Sequence, residues 1–277
     1  MEASQSERAQ AFRALHERPG AFVIPNPFDI GTARILAGLG FEALATTSAG
    51  MAFALGRRDG AVRRDEALAH ARAIVGATPL PVSADLENGF GDAPEVVAET
   101  IRLAADTGLA GASIEDATGD PDRPIYEASL ALERVVAAVE AARGLPFPFT
   151  LTARAENFLH GRPDLDDTIR RLQAFESAGA DVLYAPGLRD LDAVRTLCQA
   201  VGKPVNVIMG LTGAVFTVDQ LAAAGVRRIS LGSALSRVAL GAFLRAAREI
   251  KAQRTFTAAG DAASFAEIEA FMQGREA

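Results

Sequence analysis

Apolar runs of four to seven residues recur along the chain at 21–25, 43–47, 81–86, 111–114, 148–153, 181–185, 204–209 and 227–231. Between and after them lie segments whose apolar residues repeat at three- and four-residue spacing, near 29–38, 64–76, 94–107, 129–142, 165–178, 189–200, 217–223 and 234–252. The first pattern suits a strand buried on both faces, the second an amphipathic helix. A regular alternation of the two predicts a parallel sheet, since parallel neighbours need a crossover long enough to hold a helix. Eight such units predict an α/β fold, a (β/α)8 TIM-type barrel. Gly40, Gly108, Gly179, Gly202 and Gly225 close helices before the next strand, a capping role that carries no chemistry. A surface helix over 6–17 precedes the first strand. A further helical pattern at 257–277 reads as a C-terminal extension packed on the barrel or on a neighbouring subunit. With no Pro/Ser-rich linker or break in composition, residues 1–277 read as one domain.

Composition narrows the function classes. Apolar residues make up 49% of the 277, ample for a core, and the formal charge of −7 with no Lys/Arg block argues against a nucleic-acid partner. One cysteine cannot form an internal disulfide, the N-terminal stretch is polar, and no run of about 18 apolar residues occurs, so a cytoplasmic, membrane-free protein is expected.

In a barrel of this kind the site lies at the C-terminal ends of the strands. Those ends are acidic. The third apolar run ends in Asp85-Leu86-Glu87-Asn88-Gly89-Phe90-Gly91, and strand alternation aims Asp85 and Glu87 the same way. The fourth run leads to Glu115 and Asp116, and the fifth to Arg154, Glu156 and Asn157. Four carboxylates (Asp85, Glu87, Glu115 and Asp116) converging on one cavity repel one another, and a divalent cation relieves this; oxygen donors without clustered His or Cys point to Mg²⁺ or Mn²⁺. Mg²⁺ keeps several waters, so Asp85 is expected to bind directly and the other acids to hold the water shell. Arg154 is expected to grip an anionic substrate with paired hydrogen bonds, and the turn Thr47-Ser48-Ala49-Gly50 to offer backbone N–H groups to a carboxylate. Together they describe a site for a small 2-oxo acid or its enolate.

These stretches resemble the isocitrate lyase and phosphoenolpyruvate mutase superfamily over roughly residues 20–240. Residues 84–91 are similar to its acid-x-acid-x-Gly-Phe-Gly metal motif, with support from Thr47 to Gly50, Leu55 to Asp59, Ile114 to Asp116 and Ala153-Arg154. The resemblance implies a magnesium set of Asp59, Asp85, Glu87 and Glu115, with Asp59, Glu115 and Arg154 as the catalytic groups. It also implies a substrate cradle of Thr47, Ser48, Ala49 and Gly50 with Arg154, to which Asn206 is added as a polar group near the end of the seventh strand. It further implies dimers or tetramers that exchange the eighth helix. The sequence departs from the lyases after Glu115-Asp116. There they carry Lys-Lys/Arg-Cys-Gly-His, whereas residues 117–126 read Ala-Thr-Gly-Asp-Pro-Asp-Arg-Pro-Ile-Tyr, and the longer gating loop of the mutases is missing too. The expected activity is Mg²⁺-dependent C–C cleavage of a 2-hydroxy di- or tricarboxylate through a 2-oxo acid enolate, with the proton donor unassigned. The alternatives are carbon–phosphorus mutase chemistry, hydrolysis or decarboxylation of a 2-oxo acid, and 2-oxo acid binding without turnover.

The remaining polar residues read more plainly. Cys198 lies in a helix as a small buried hydrophobe, His16 and His70 fall in helical surface patterns, and His160 reads as a solvated histidine of a mouth loop that is able to fold over substrate. Arg123 and Tyr126 are within reach of the cavity as anion contact or acid, and Arg57-Arg58 with Arg63-Arg64 face water.

Overall fold

The computed structural model describes residues 3–210 and 215–274. In chain order the elements are α1 (Gln5–Glu17), β1 (Phe22–Ile24), α2 (Ile30–Gly38), β2 (Leu44–Ala45), α3 (Ser48–Ala54), α4 (Arg64–Val75), β3 (Val82–Asp85), α5 (Pro94–Ala105), β4 (Gly111–Glu115) and α6 (Ala128–Arg143). They continue with β5 (Thr150–Arg154), α7 (Leu165–Ser177), β6 (Val182–Tyr184), α8 (Leu191–Ala200), β7 (Val205–Ile208), α9 (Val218–Ala223), β8 (Arg228–Ser230), α10 (Ala234–Gln253) and α11 (Phe265–Met272). Each expected strand and helix is present, and the eight strands pair in parallel in the order β1-β8-β7-β6-β5-β4-β3-β2, the (β/α)8 barrel.

Between β1 and β2 the barrel closes by other means than a ladder. A single backbone hydrogen bond, Ala45 N to the Pro25 carbonyl (3.1 Å), joins them. Pro25 and Pro27 have no N–H to donate, so the pairing cannot be extended there. The buried Asn26 side chain takes over: its amide nitrogen donates to the Thr46 carbonyl (2.9 Å), and its oxygen accepts from the N–H groups of Leu231 (2.8 Å) and Gly232 (2.9 Å). One amide thus ties three strand ends at the mouth.

The sequence predicted no helix at 48–54, because Ser48-Ala49-Gly50 looks like a turn. The structure starts α3 there: Thr47 in extended backbone caps it, accepting from Gly50 N (3.3 Å), and burial of Met51 and Ala52 holds the segment down.

At the opposite end α1 closes the floor. Its Phe12 and His16 rings pack edge-on, and His16 does the same against Phe22 of β1 (centroids 4.8 and 5.0 Å). His16 is therefore buried, not on the surface as its helical pattern implied, and its Nδ1 meets the Phe12 carbonyl at 2.8 Å. Burial and the nearby Arg228 guanidinium push its pKa down to about 3. The unfolded chain, with histidine near 6.5, binds more protons than the folded one between those values, so stability is full above 6.5 and falls as pH drops. Urea unfolding at pH 7 and pH 5 is expected to show a loss of about 2 kcal/mol from this group. His16→Gln removes that increment, and an unchanged pH slope in the variant refutes the assignment.

Two C-terminal elements behave differently. α11 lies on its own barrel, where Arg34 of α2 donates to the Met272 carbonyl (3.0 Å) and Phe271 is buried; the last three residues of the expected extension lie outside the described residues. α10, the eighth barrel helix by sequence order, buries only Ser236 among its 20 residues. Val238 and Phe243 are each 68% exposed. A helix with apolar side chains in water has an unburied face.

Candidate active site

The strand ends β2 to β5 converge on a mouth cavity of about 800 Å³, lined by Ser48, Asp59, Glu87, Glu115, Arg154 and Glu156 among others. Arg154, the last residue of β5, lines it. Its Nη1 lies 3.0 Å from Asp85 Oδ1 and 3.2 Å from Glu115 Oε2, and its Nε donates to Glu156 Oε1 at 2.8 Å. The Tyr184 ring on neighbouring β6 sits 5.0 Å from the guanidinium carbon. Burial opposes the charged form of Arg154, but Glu156, Glu115 and Asp85 outweigh it and hold the cation. Part of the charge relief assigned to a metal ion is therefore supplied by the chain itself.

Asp85 ends β3 and is tied on every side. Its N–H donates to Thr46 Oγ1 (3.0 Å), while its carboxylate accepts from Ser48 N (3.3 Å) and Glu87 N (3.3 Å). Asp85 and Glu87 do share the site, though strand alternation is not the reason. The strand stops at Asp85, and Glu87 adopts a left-handed backbone (φ 50), as does Phe90 (φ 64). Non-glycine residues avoid that region, so the turn is strained and something must hold it. Arg134 does so: buried in α6, it donates to the carbonyls of Asn88, Gly91 (2.6 Å) and Asp92, and its guanidinium stacks on Tyr126 at 4.1 Å. Nothing in the local sequence around Arg134 marks this role.

Two acids have no cationic partner among the described residues. Asp59 stands on the rim, and partial desolvation followed by the Asp85 charge raises its pKa. Glu87 is pushed up to about 7 by burial, then by Asp85 and Asp59. Glu115 rises well above the usual carboxylate range by burial, with Arg154 pulling the other way, and Glu156 rises to about 7 for the same reasons. Carboxyls raised by burial and then by neighbouring like charges are what an oxygen-preferring dication would relieve, so the donor set fits Mg²⁺ or Mn²⁺. Among the described residues no three His, Cys, Asp or Glu side chains come close enough to ligate one ion directly. An ion here would keep water between itself and most of the acids.

Other expectations need correcting. Asp116 is not a fourth acid of the cavity: next to Glu115 on the strand end it faces outward, where it accepts from Arg171 (3.0 Å) and from Glu156 N (2.8 Å). Tyr126 and Arg123 line a separate pocket, where the Tyr126 hydroxyl donates to Asp92 (2.6 Å). Of the cradle, Ser48 N is already bonded to Asp85, and Gly50 serves packing, since a Cβ there would stand 2.5 Å from Thr47 Cγ2. Thr47 caps α3, and Ala49 follows in its first turn. Asn206 lines a smaller cavity of about 80 Å³ together with Thr47, Asp85 and Arg154, accepting from Arg228 Nε (2.9 Å) and donating to Ser230 (3.0 Å). Cys198 is half-buried in α8, its thiol pushed up to about 11 by burial, and His70 meets the Phe28 carbonyl (3.1 Å). Arg57, Arg63 and Arg64 pair with Glu66, Asp65 and Glu99.

A parallel barrel whose mouth presents a caged guanidinium beside uncompensated carboxylates has the build of an enzyme active site. The chain belongs to the phosphoenolpyruvate phosphomutase family, whose profile matches residues 12–251. It lies within the superfamily of isocitrate lyases and phosphoenolpyruvate mutases, whose members are lyases, mutases and hydrolases. It is similar to a structure of a candidate lyase/mutase from Burkholderia cenocepacia J2315 (60% identity, 99% of each chain, TM-score 0.96). It is 30% identical to the 2-methylisocitrate lyase of Salmonella typhimurium strain LT2 over 227 residues, 78% of this chain and 76% of that one. A structure of 2,3-dimethylmalate lyase matches with 26% identity, 96% of this chain, 94% of the other and a TM-score of 0.85. No described helix is long and apolar enough to cross a membrane.

Proposed function

We propose that the protein is a Mg²⁺- or Mn²⁺-dependent lyase that cleaves the C2–C3 bond of a 2-hydroxy di- or tricarboxylate, releasing a 2-oxo acid. The observation that carries this is Arg154 held among Asp85, Glu115 and Glu156, with Asp59 and Glu87 left without a cation beside it. Asp85, Glu87, Glu115 and Asp59 would hold the ion, Asp85 directly and the others through water. When bound, the ion would supply a Lewis acid to the oxygen-rich substrate. Arg154, fixed on three sides, orients the substrate carboxylate, and its preset position costs no reorganisation as charge develops. Ser48, at the start of α3 and hydrogen-bonded to Asp85, keeps that carboxylate aimed. The likeness to 2-methylisocitrate lyase and 2,3-dimethylmalate lyase supports a 2-hydroxy acid with a second carboxylate on C3.

The test is incubation with Mg²⁺ and a panel of 2-hydroxy di- and tricarboxylates, reading released 2-oxo acid by mass spectrometry. Release that stops with EDTA and returns with Mg²⁺ supports the reading. Silence across the panel, with phosphorus NMR showing rearrangement of phosphonopyruvate, replaces it by mutase chemistry.

The second part of the proposal is assembly. α10 exposes its apolar face to solvent, which supports a dimer or tetramer in which each copy's α10 packs on its partner. Sedimentation is expected to show no monomer at micromolar concentration, and Phe243→Glu with Val238→Glu to release it. A wild-type monomer at that concentration rules the exchange out.

A further inference from the structure

His160 lines the mouth cavity with Arg154, Glu115, Glu87 and Asp59. The turn that carries it, between β5 and α7, is built. Leu159 N and His160 N both donate to the Glu156 carbonyl (3.1 and 3.2 Å), Arg162 N donates to the Asn157 carbonyl (2.9 Å), and the Asn157 side chain donates to Asp167 (2.8 Å). From the other side Gly187, with φ +93, presses on the turn. A Cβ there would stand 2.9 Å from Phe158 Cβ and 3.1 Å from Leu159 Cδ2, so the loop after β6 approaches as closely as backbone allows. The imidazole is half-buried, and burial and the Arg154 charge favour its neutral, proton-accepting form.

Cleavage of a 2-hydroxy acid needs a group that takes the hydroxyl proton. The other ionisable side chains lining the cavity are Arg58, Arg63, Arg64 and Arg154, which stay protonated, the acids assigned to the ion, and Glu156, engaged by Arg154. Among the described residues no cysteine, lysine or tyrosine lines it.

We propose that His160 is the proton carrier of the reaction, an inference that rests on the lyase reading. A ring nitrogen takes the C2 hydroxyl proton, and the O–H electron pair becomes the C=O π bond of the 2-oxo acid. The C2–C3 pair leaves on C3, delocalised into the carboxylate there, and the imidazolium returns the same proton to C3. No oxidant or co-reactant is consumed. In bound pyruvate the C3 methyl is carried on the carbon whose hydroxyl proton the ring nitrogen takes, within reach of the same imidazole, and its protons exchange with solvent through it.

The experiment reads two signals, cleavage of the best 2-hydroxy acid and exchange of pyruvate C3 protons in D2O with Mg²⁺ by NMR. His160→Gln is expected to lower kcat about 100-fold with KM within about 3-fold, to lower exchange in parallel, and to keep the wild-type thermal transition. Free imidazole is expected to restore at least about a tenth of the activity to His160→Ala, which a purely structural role would not allow. Variants that turn over and exchange within about 3-fold of wild type, or a loss that imidazole leaves untouched, overturn the proposal. If the wild type cleaves nothing yet exchanges C3 protons by way of His160, the lyase reading fails and the proton carrier stands. If it does neither, both fall.

Discussion

Asp85→Ala is expected to abolish divalent-ion-dependent binding of oxalate, a planar mimic of a 2-oxo acid, and to lower turnover at least about 1000-fold. Asp85 is the acid on which the site's geometry turns. Its carboxylate receives Ser48 N, Glu87 N and Arg154 Nη1, and so joins the start of α3, the strained turn after β3 and the end of β5. The fold should survive its loss. Arg154 keeps Glu115 and Glu156 as partners, and removing one negative charge takes away the part of the rise of Asp59 and Glu87 that Asp85 adds to burial. Titration calorimetry with Mn²⁺ and oxalate, beside a thermal melt, separates the two outcomes. A folded variant that still binds both ligands with wild-type affinity would mean that the ion, if any, is held elsewhere.

Arg154→Met is expected to act on the fold itself as well as on activity. Asp85, Glu115 and Glu156 share this one guanidinium, and truncating one partner of a buried ion cluster typically costs about 3–5 kcal/mol. The loss should depend on pH. Glu115 and Glu156 already stand above the ordinary carboxylate value with Arg154 in place, and without it they rise further. A carboxyl with a raised folded pKa binds more protons folded than unfolded, so its contribution is full below the unfolded value near 4.5 and declines as pH rises through the folded one. In metal-free protein the gap between variant and wild type should therefore widen from pH 6 to pH 8. Urea unfolding at the two pH values measures it, and parallel curves would show that the three acids do not depend on Arg154.

The position of the acids was open to reading because their signals are local. Asp85 and Glu115 end apolar runs, and in a parallel barrel a residue at the C-terminal end of a strand faces the mouth. Asp116 was misplaced although the same rule excludes it: adjacent strand residues face opposite ways, and its partner Arg171 lies 55 positions on. His16 was misjudged because a helical pattern shows period and not cover, and the floor of a barrel is cover that no helix announces. Glu87 reached its expected place by a left-handed turn held from α6, a contact 46 residues distant.

The sequence by itself determined the eight-unit alternation, hence the barrel, and with it the strand ends that carry Asp85, Glu115 and Arg154. Only the tertiary structure decided that Arg154 is caged by three acids while Asp59 and Glu87 are left bare, that Asn26 closes the seam beside two prolines, and that α10 keeps an apolar face exposed. The physical reason is range. Periodicity and turn chemistry act between neighbours along the chain, whereas ion pairing inside a barrel follows from strand register, which brings Asp85 and Arg154 together across 69 positions.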